Sequence, residues 1–137
     1  MSTTNGLYID AVIIKGASRT FSVSINQKTE NEQDFEPFDL SNYAIKFSVM
    51  GSPVADGEVL LEKIITTNSD EETIGIIDNP TNGEFLFTIS ASDTNDLGLG
   101  KFPIKIEILD ATSLTVEHVL TEGNQGGEFN AIQIVEI

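Results

Sequence analysis

The sequence predicts an all-β fold, an antiparallel sandwich or barrel made as one domain. Two observations carry this. Four segments alternate apolar and polar residues with a period of two, the mark of strands buried on one face. Between these and weaker candidates, Gly, Asn and Pro clusters recur at spacings of about ten residues, and no helical period runs beyond about two turns. At 137 residues the chain is long enough to bury roughly two-thirds of its unfolded surface without cross-links.

The elements follow in order. Residues 7–14 contain the apolar run AVII, a weak strand candidate, and KGAS at 15–18 turns the chain. Residues 20–25 alternate cleanly, with Phe21, Val23 and Ile25 on one side and Thr20, Ser22 and Ser24 on the other. The segment NQKTENEQDFEP at 26–37 is long and acidic and has only Phe35 as an anchor, so it is expected to be a mobile, solvent-facing loop. A second clean strand covers 44–50 through Ile45, Phe47 and Val49, and GSP at 51–53 ends it. Residues 58–66 and 73–77 are weaker strand candidates.

In DNPTNG at 78–83, Pro80 presets a turn and Asn82–Gly83 can adopt positive φ. That predicts a tight reversal into the third clean strand, 84–90, with Phe85, Phe87 and Ile89 inward. The stretch SASDTNDLGLGKF then reads as a short helical turn: Ser92 caps it, Asp93 sits in its first turn, and Gly98 leaves it in a left-handed conformation. Leu97 points inward and plugs the open end while the chain crosses between sheets. The fourth clean strand, 101–109, carries Phe102, Ile104, Ile106 and Ile108. Residues 114–121 and 128–137, separated by GNQGG, close the list of candidates.

Charge is the compositional outlier. Lys and Arg total 7 against 22 Asp and Glu, a net charge of −15 with pI about 4.1. Such a surface repels phosphate backbones, and the cations are scattered singly, so nucleic acid is excluded as a partner. With no cysteine, neither a disulfide nor a thiolate metal site is possible. The start, MSTTNG, has no basic and apolar leader, and no apolar run reaches membrane-spanning length, so a soluble protein made in a cytoplasm is expected, with no membrane partner.

The chemistry of catalysis is sparse. The single histidine, His118, lies in the alternating run VEHVL and reads as a strand-surface residue. None of the nucleophile-elbow, zinc-helix or phosphate-loop motifs occurs. The acidic clusters 30–36 and 70–72 lack the spacing of a calcium loop. The expectation is therefore a non-enzymatic protein with no catalytic residue, cofactor or metal. A carbohydrate- or cell-surface-binding module is the alternative, its sugar contacts made through an exposed aromatic platform of Tyr8, Tyr43 and Phe38, although the chain has no Trp and most Phe residues fall on inward positions.

Several segments taken together resemble a known family. They are Gly16 to Ile25 (G-x-x-x-T-F-x-V-x-I), Asp39 to Val49 (DLSNYAIKFSV), Asn82 to Phe102 (NGEFLFTISASDTNDLGLGKF), and Glu122–Gly123. This order is similar to the immunoglobulin-like β-sandwich domains of tailed-phage virions, in particular the N-terminal domain of upper-baseplate proteins, and covers roughly residues 12 to 137. The resemblance implies an immunoglobulin-like sandwich of seven to nine strands with one short helical crossover turn, following a flexible arm at 1–6 and filling 7–137. It implies localisation in the virion and a structural role: docking onto capsid, tail or baseplate subunits, in a symmetric multi-copy arrangement, as a monomer when free. Family members commonly carry this module ahead of fibre or receptor-facing domains. Here the chain stops close to its last strand, which makes an accessory or decoration subunit as good an expectation as a baseplate one. The acidic 26–37 segment has no counterpart in the pattern.

Docking is expected to use the chain ends. The last residues, IQIVEI, are unusually apolar for a terminus and can either close a sheet or add a strand to a partner's edge. Ile132, Ile134, Val135 and Ile137 are the candidate docking residues there, joined by Lys15 and Arg19. The cations Lys15, Arg19, Lys46, Lys101 and Lys105 are expected to meet carboxylates of neighbouring subunits.

Overall fold

In a computed structural model, described over residues 10–28, 35–51, 58–121 and 131–136, the chain is all-β and sandwich-like. The arm at 1–6 lies outside the described residues. The strands are β1 (Asp10–Ile14), β2 (Arg19–Ser24), β3 (Asn26–Lys28), β4 (Phe35–Pro37), β5 (Tyr43–Met50), β6 (Val59–Ile65), β7 (Gly75–Asn79), β8 (Glu84–Ile89), β9 (Gly100–Asp110), β10 (Val116–Thr121) and β11 (Ala131–Val135), with one helix, α1 (Ala91–Leu97).

One sheet runs β1-β11-β9-β5-β6, with β10 also on β9. The other runs β2-β8-β7. The long strand β9 organises the first sheet. On one side, Ile104 to Asp110 pair with β5. On the other, β11 pairs with Gly100 to Pro103 and β10 with Ile106 to Leu109, both antiparallel. β10 and β11 thus share one side of β9; residues 122–130 between them lie outside the described residues. β1 lies parallel to β11, Asp10 opposite Ala131 and Ile14 opposite Val135.

The described strands number eleven, more than the seven to nine expected. The excess over nine is β3 and β4, because the acidic 26–37 segment is strand at both ends. β3 and β4 pair there as a short ribbon, Asn26 opposite Pro37. That corrects the reading of 26–37 as loop throughout; residues 29–34 lie outside the described residues. The ribbon is anchored by backbone bonds of Ile25 to Gly83 and of Phe38 to Ile25, which turn a polar sequence into ordered structure.

The alternating residues of all four clean strands meet between the sheets. Ile45, Phe47, Val49, Phe85, Phe87, Ile89, Ile104, Ile106 and Ile108 are fully buried. Phe87 of β8 stacks on Phe47 of β5 across the interior, ring centroids 4.4 Å apart, and on Phe21 of β2 at 4.7 Å. Phe21 is only partly buried, since β2 forms a margin of its sheet. Leu40, Ile65, Ile77 and Ile132 complete the core from segments whose periodicity is weak.

The turn into β8 follows its sequence. Pro80–Asn82 form a 3-10 turn and Gly83 takes φ 70°, where a Cβ would stand 2.5 Å from the Ile25 carbonyl oxygen. The crossover helix is also present, but its cap differs. Ser90, not Ser92, accepts from the Asp93 backbone N–H, while the Asp93 carboxylate accepts from the Ser90 N–H. A capping box needs its acid three residues after the cap, and Asp93 stands in that relation to Ser90. The helix therefore starts earlier and makes about two turns. Leu97 packs against the core as expected, and Gly98 ends the helix at φ 78° with an extended ψ.

Candidate docking surface

Each candidate docking residue has a definite place. Ile132 and Ile134 are 0% and 1% exposed, and their strand is paired on both sides, by β1 and β9. Exposing them to a partner would require opening the core, so the docking expectation is corrected for both. Their apolar character is used by the chain's own sandwich. Val135 is half-buried, and Ile137 lies outside the described residues. Lys15 is exposed.

Arg19 is exposed as well, but its guanidinium is engaged. Nη1 donates to the Val12 carbonyl at 3.1 Å, and the group lies 4.8 Å from the centre of the Phe21 ring. Val12 is on β1, a margin of its sheet among the described strands. The arginine thus occupies one backbone acceptor on that margin. Other cations are also used within the chain: Lys46 pairs with Glu62 at 3.1 Å and Lys105 with Glu107 at 3.8 Å.

The buried polar groups form a closed network that sequence reasoning missed. Lys63 faces inward from β6, in the same alternation as Leu61 and Ile65. Its ammonium donates to the Thr88 carbonyl at 2.8 Å, to the Thr73 carbonyl and to the Asp93 carboxylate. An ammonium has three hydrogens, and all three are placed. Nearby, Thr88 Oγ1 donates to the Glu71 carbonyl at 2.8 Å. Thr94 Oγ1 accepts from the Gly16 N–H at 2.9 Å and donates to the Ala17 carbonyl at 3.1 Å. Together these tie α1 to β6, to β8 and to the turn after β1. The signal in the sequence was a lysine on the apolar parity of VLLEKII, which marks a buried cation in search of an anion.

Three acidic groups, Asp70, Asp39 and Asp110, are occupied in local turns. Asp70 accepts from the Glu72 N–H at 3.1 Å and from Thr73 Oγ1 at 2.9 Å. Asp39 accepts from Ser41 Oγ at 2.5 Å and its N–H at 2.9 Å, and these bonds, the hydroxyl first, hold its carboxyl below the ordinary range. Asp110 is lowered by the N–H groups of Ser113 and Thr112, each at 2.9 Å. Among the described residues no group of three or more His, Cys, Asp or Glu side chains is placed to hold a metal ion, and no helix is long and apolar enough to cross a membrane. Residues 30–34 of the first acidic cluster lie outside them. His118 sits on β10, half-buried, edge-on to Phe38 at 5.4 Å. Of the aromatic platform, Phe38 is 6% exposed and packs on Tyr43; Tyr8 lies outside the described residues.

What the surface does offer is apolar. Val12 and Ile14 on β1 and Leu99 before β9 are between 43% and 56% exposed, and Val59 and Leu60 on β6 are 50% and 41% exposed. Leu114, Val116 and Val119 form a third group at β10. β1 and β6 are opposite margins of one sheet. No protein-family model matches the chain, and no curated protein matches it.

Proposed function

We propose that this chain is an immunoglobulin-like sandwich and a non-enzymatic structural subunit of a tailed-phage virion, an accessory or tail-baseplate protein that works by docking onto other virion proteins. The observation that supports the immunoglobulin-like part of this reading is the strand order. In immunoglobulin-type sandwiches the second, fifth and fourth principal strands share one sheet, while the third, sixth and seventh share the other, which variable-type domains extend beyond the third. Here β2-β8-β7 corresponds to the first set, and β11-β9-β5 extended by β6 to the second. The segments that carry the family resemblance fall on β2, on β5 and its approach, and on β8 through α1 into β9.

Docking without turnover is supported by how the polar groups are used. Lys63 and Asp93 serve each other in the interior, and the lowered carboxylates stand in exposed turns. The same burial disfavours sugar binding, because Phe38 is packed inside and unavailable for stacking. A mass-spectrometric inventory of purified tailed particles is the test. The chain is expected at a fixed multiple of the tail or capsid subunits; its absence from washed particles, with glycan-array binding by the isolated domain, would overturn the proposal.

A further inference from the structure

The reversal between β7 and β8 carries a reactivity that its sequence states and its fold withholds. The chain contains two Asn-Gly pairs, Asn5–Gly6 and Asn82–Gly83, of which the first lies outside the described residues. Asparagine before glycine is prone to deamidate, because glycine has no side chain to hinder its backbone nitrogen. In that reaction the Gly83 nitrogen forms a bond to the side-chain carbonyl carbon of Asn82. The bond from that carbon to the amide nitrogen breaks, and ammonia leaves carrying the Gly83 proton. Water then opens the five-membered imide to aspartate or to isoaspartate, so no co-reactant other than water is needed.

Asn82 is exposed, so water reaches it; the hindrance lies in the backbone. Pro80–Asn82 form a 3-10 turn, where ψ is about −20 to −30°. Ring closure requires the Gly83 nitrogen to eclipse the Asn82 Cβ about the Cα–C bond, and at this ψ the nitrogen is turned well away from that alignment. Its N–H also donates to the Pro80 carbonyl at 3.0 Å, which opposes loss of the proton. Nor can the turn relax by itself. The Pro80 carbonyl accepts from the Leu40 N–H at 2.8 Å, and the Gly83 carbonyl from the Ile25 N–H at 2.9 Å. At Gly83 a Cβ would stand 2.5 and 2.6 Å from the Ile25 and Phe38 carbonyl oxygens. An isoaspartyl linkage inserts one more carbon into the backbone just before Gly83, where this packing leaves no room for the shift.

We propose that Asn82 is a fold-gated modification site. It is silent while the corner between the β7–β8 turn, Ile25 and Leu40 is closed. When the corner opens, the Gly83 nitrogen closes on the Asn82 side chain, and the isoaspartyl product keeps the corner from closing again. Opening is thereby recorded covalently, and the marked chain leaves the folded pool.

Peptide mapping by mass spectrometry after incubation in mildly alkaline buffer tests the gate, since mapping separates Asn82 from Asn5. Deamidation at Asn82 is expected to be at least about tenfold slower in the folded chain than in the chain unfolded by urea, the ratio set by an opening of ~1.4 kcal/mol. Equal rates would overturn the gate. The urea-aged chain is then returned to native buffer, and its compact and unfolded fractions are separated by gel filtration. Isoaspartate at position 82 is expected to be depleted from the compact fraction. Asn82→Asp, which adds the charge without lengthening the backbone, should fold and melt close to the parent chain. Equal shares of isoaspartate in the two fractions would overturn the trapping step, and an Asn82→Asp chain that fails to fold would assign the effect to charge and overturn it as well. The assay uses the purified chain alone, so its outcome is independent of the virion reading, which the particle inventory judges.

Discussion

Phe87 and Lys63 show two ways in which a single residue holds the sandwich. Phe87 lies between the rings of Phe47 and Phe21 and so touches both sheets. Its truncation to Ala leaves a cavity bounded by rigid strands and should cost about 3 to 5 kcal/mol, measured by urea unfolding. A loss below about 1 kcal/mol would mean that the rings collapse into the gap. Lys63 works by satisfaction, each ammonium hydrogen meeting an oxygen. Lys63→Ala strands the largely buried Asp93 carboxylate and two carbonyls, and should also cost about 3 to 5 kcal/mol; a neutral result in the same measurement would show that water replaces the ammonium. Phe87 was legible, since its neighbours alternate in a single clean strand. Lys63 was not: its parity says inward while its charge says outward, and its partners lie 10, 25 and 30 residues away.

Among the elements, β11 shows how one apolar run can serve two ends. Within the sequence IQIVEI nothing distinguishes a closing strand from a docking strand. In the fold, Ile132 and Ile134 fill the core and β11 bridges β1 to β9. Deleting residues 132–137 should therefore abolish cooperative thermal unfolding in circular dichroism; a truncated chain that still melts cooperatively would return the segment to the docking role. The turns at the other end of the sandwich respond to acid. Asp39 leads into β5 and Asp110 ends β9, and Tyr43 pairs with Asp110 across them. Hydrogen bonds lower both carboxyls in the folded chain. Their contribution is fully present above the unfolded value of about 4 and is lost as pH falls through the lowered folded values. The melting temperature should stay level from neutral pH to about 5 and then decline below about 4, and Asp39→Asn with Asp110→Asn should flatten that decline. An unchanged acid slope would assign it to other carboxylates.

At the scale of the whole molecule, charge governs association. A net charge of −15 repels like copies over about 10 Å at 0.1 M salt, while Arg19, Lys46 and Lys105 are engaged within the chain. Dilute protein at low salt should sediment as a monomer; a stable oligomer at micromolar concentration would require a larger apolar interface than the exposed margins supply. The sequence by itself determined the all-β class, the inward faces of β2, β5, β8 and β9, the Pro80 to Gly83 reversal and the helical crossover. Each of these rests on a period, a turn residue or a cap that acts within a few positions. Only the tertiary structure decided that β1 lies parallel to β11, that Ser90 caps the helix, that Lys63 is buried and that the terminal apolar run is internal. The capping box was written locally, in the three-residue spacing of Ser90 and Asp93, and the expectation of Ser92 as the cap missed it. The other three depend on segments brought together from distant parts of the chain, where apolar character states that a residue seeks cover and the packing of the sheets determines what covers it.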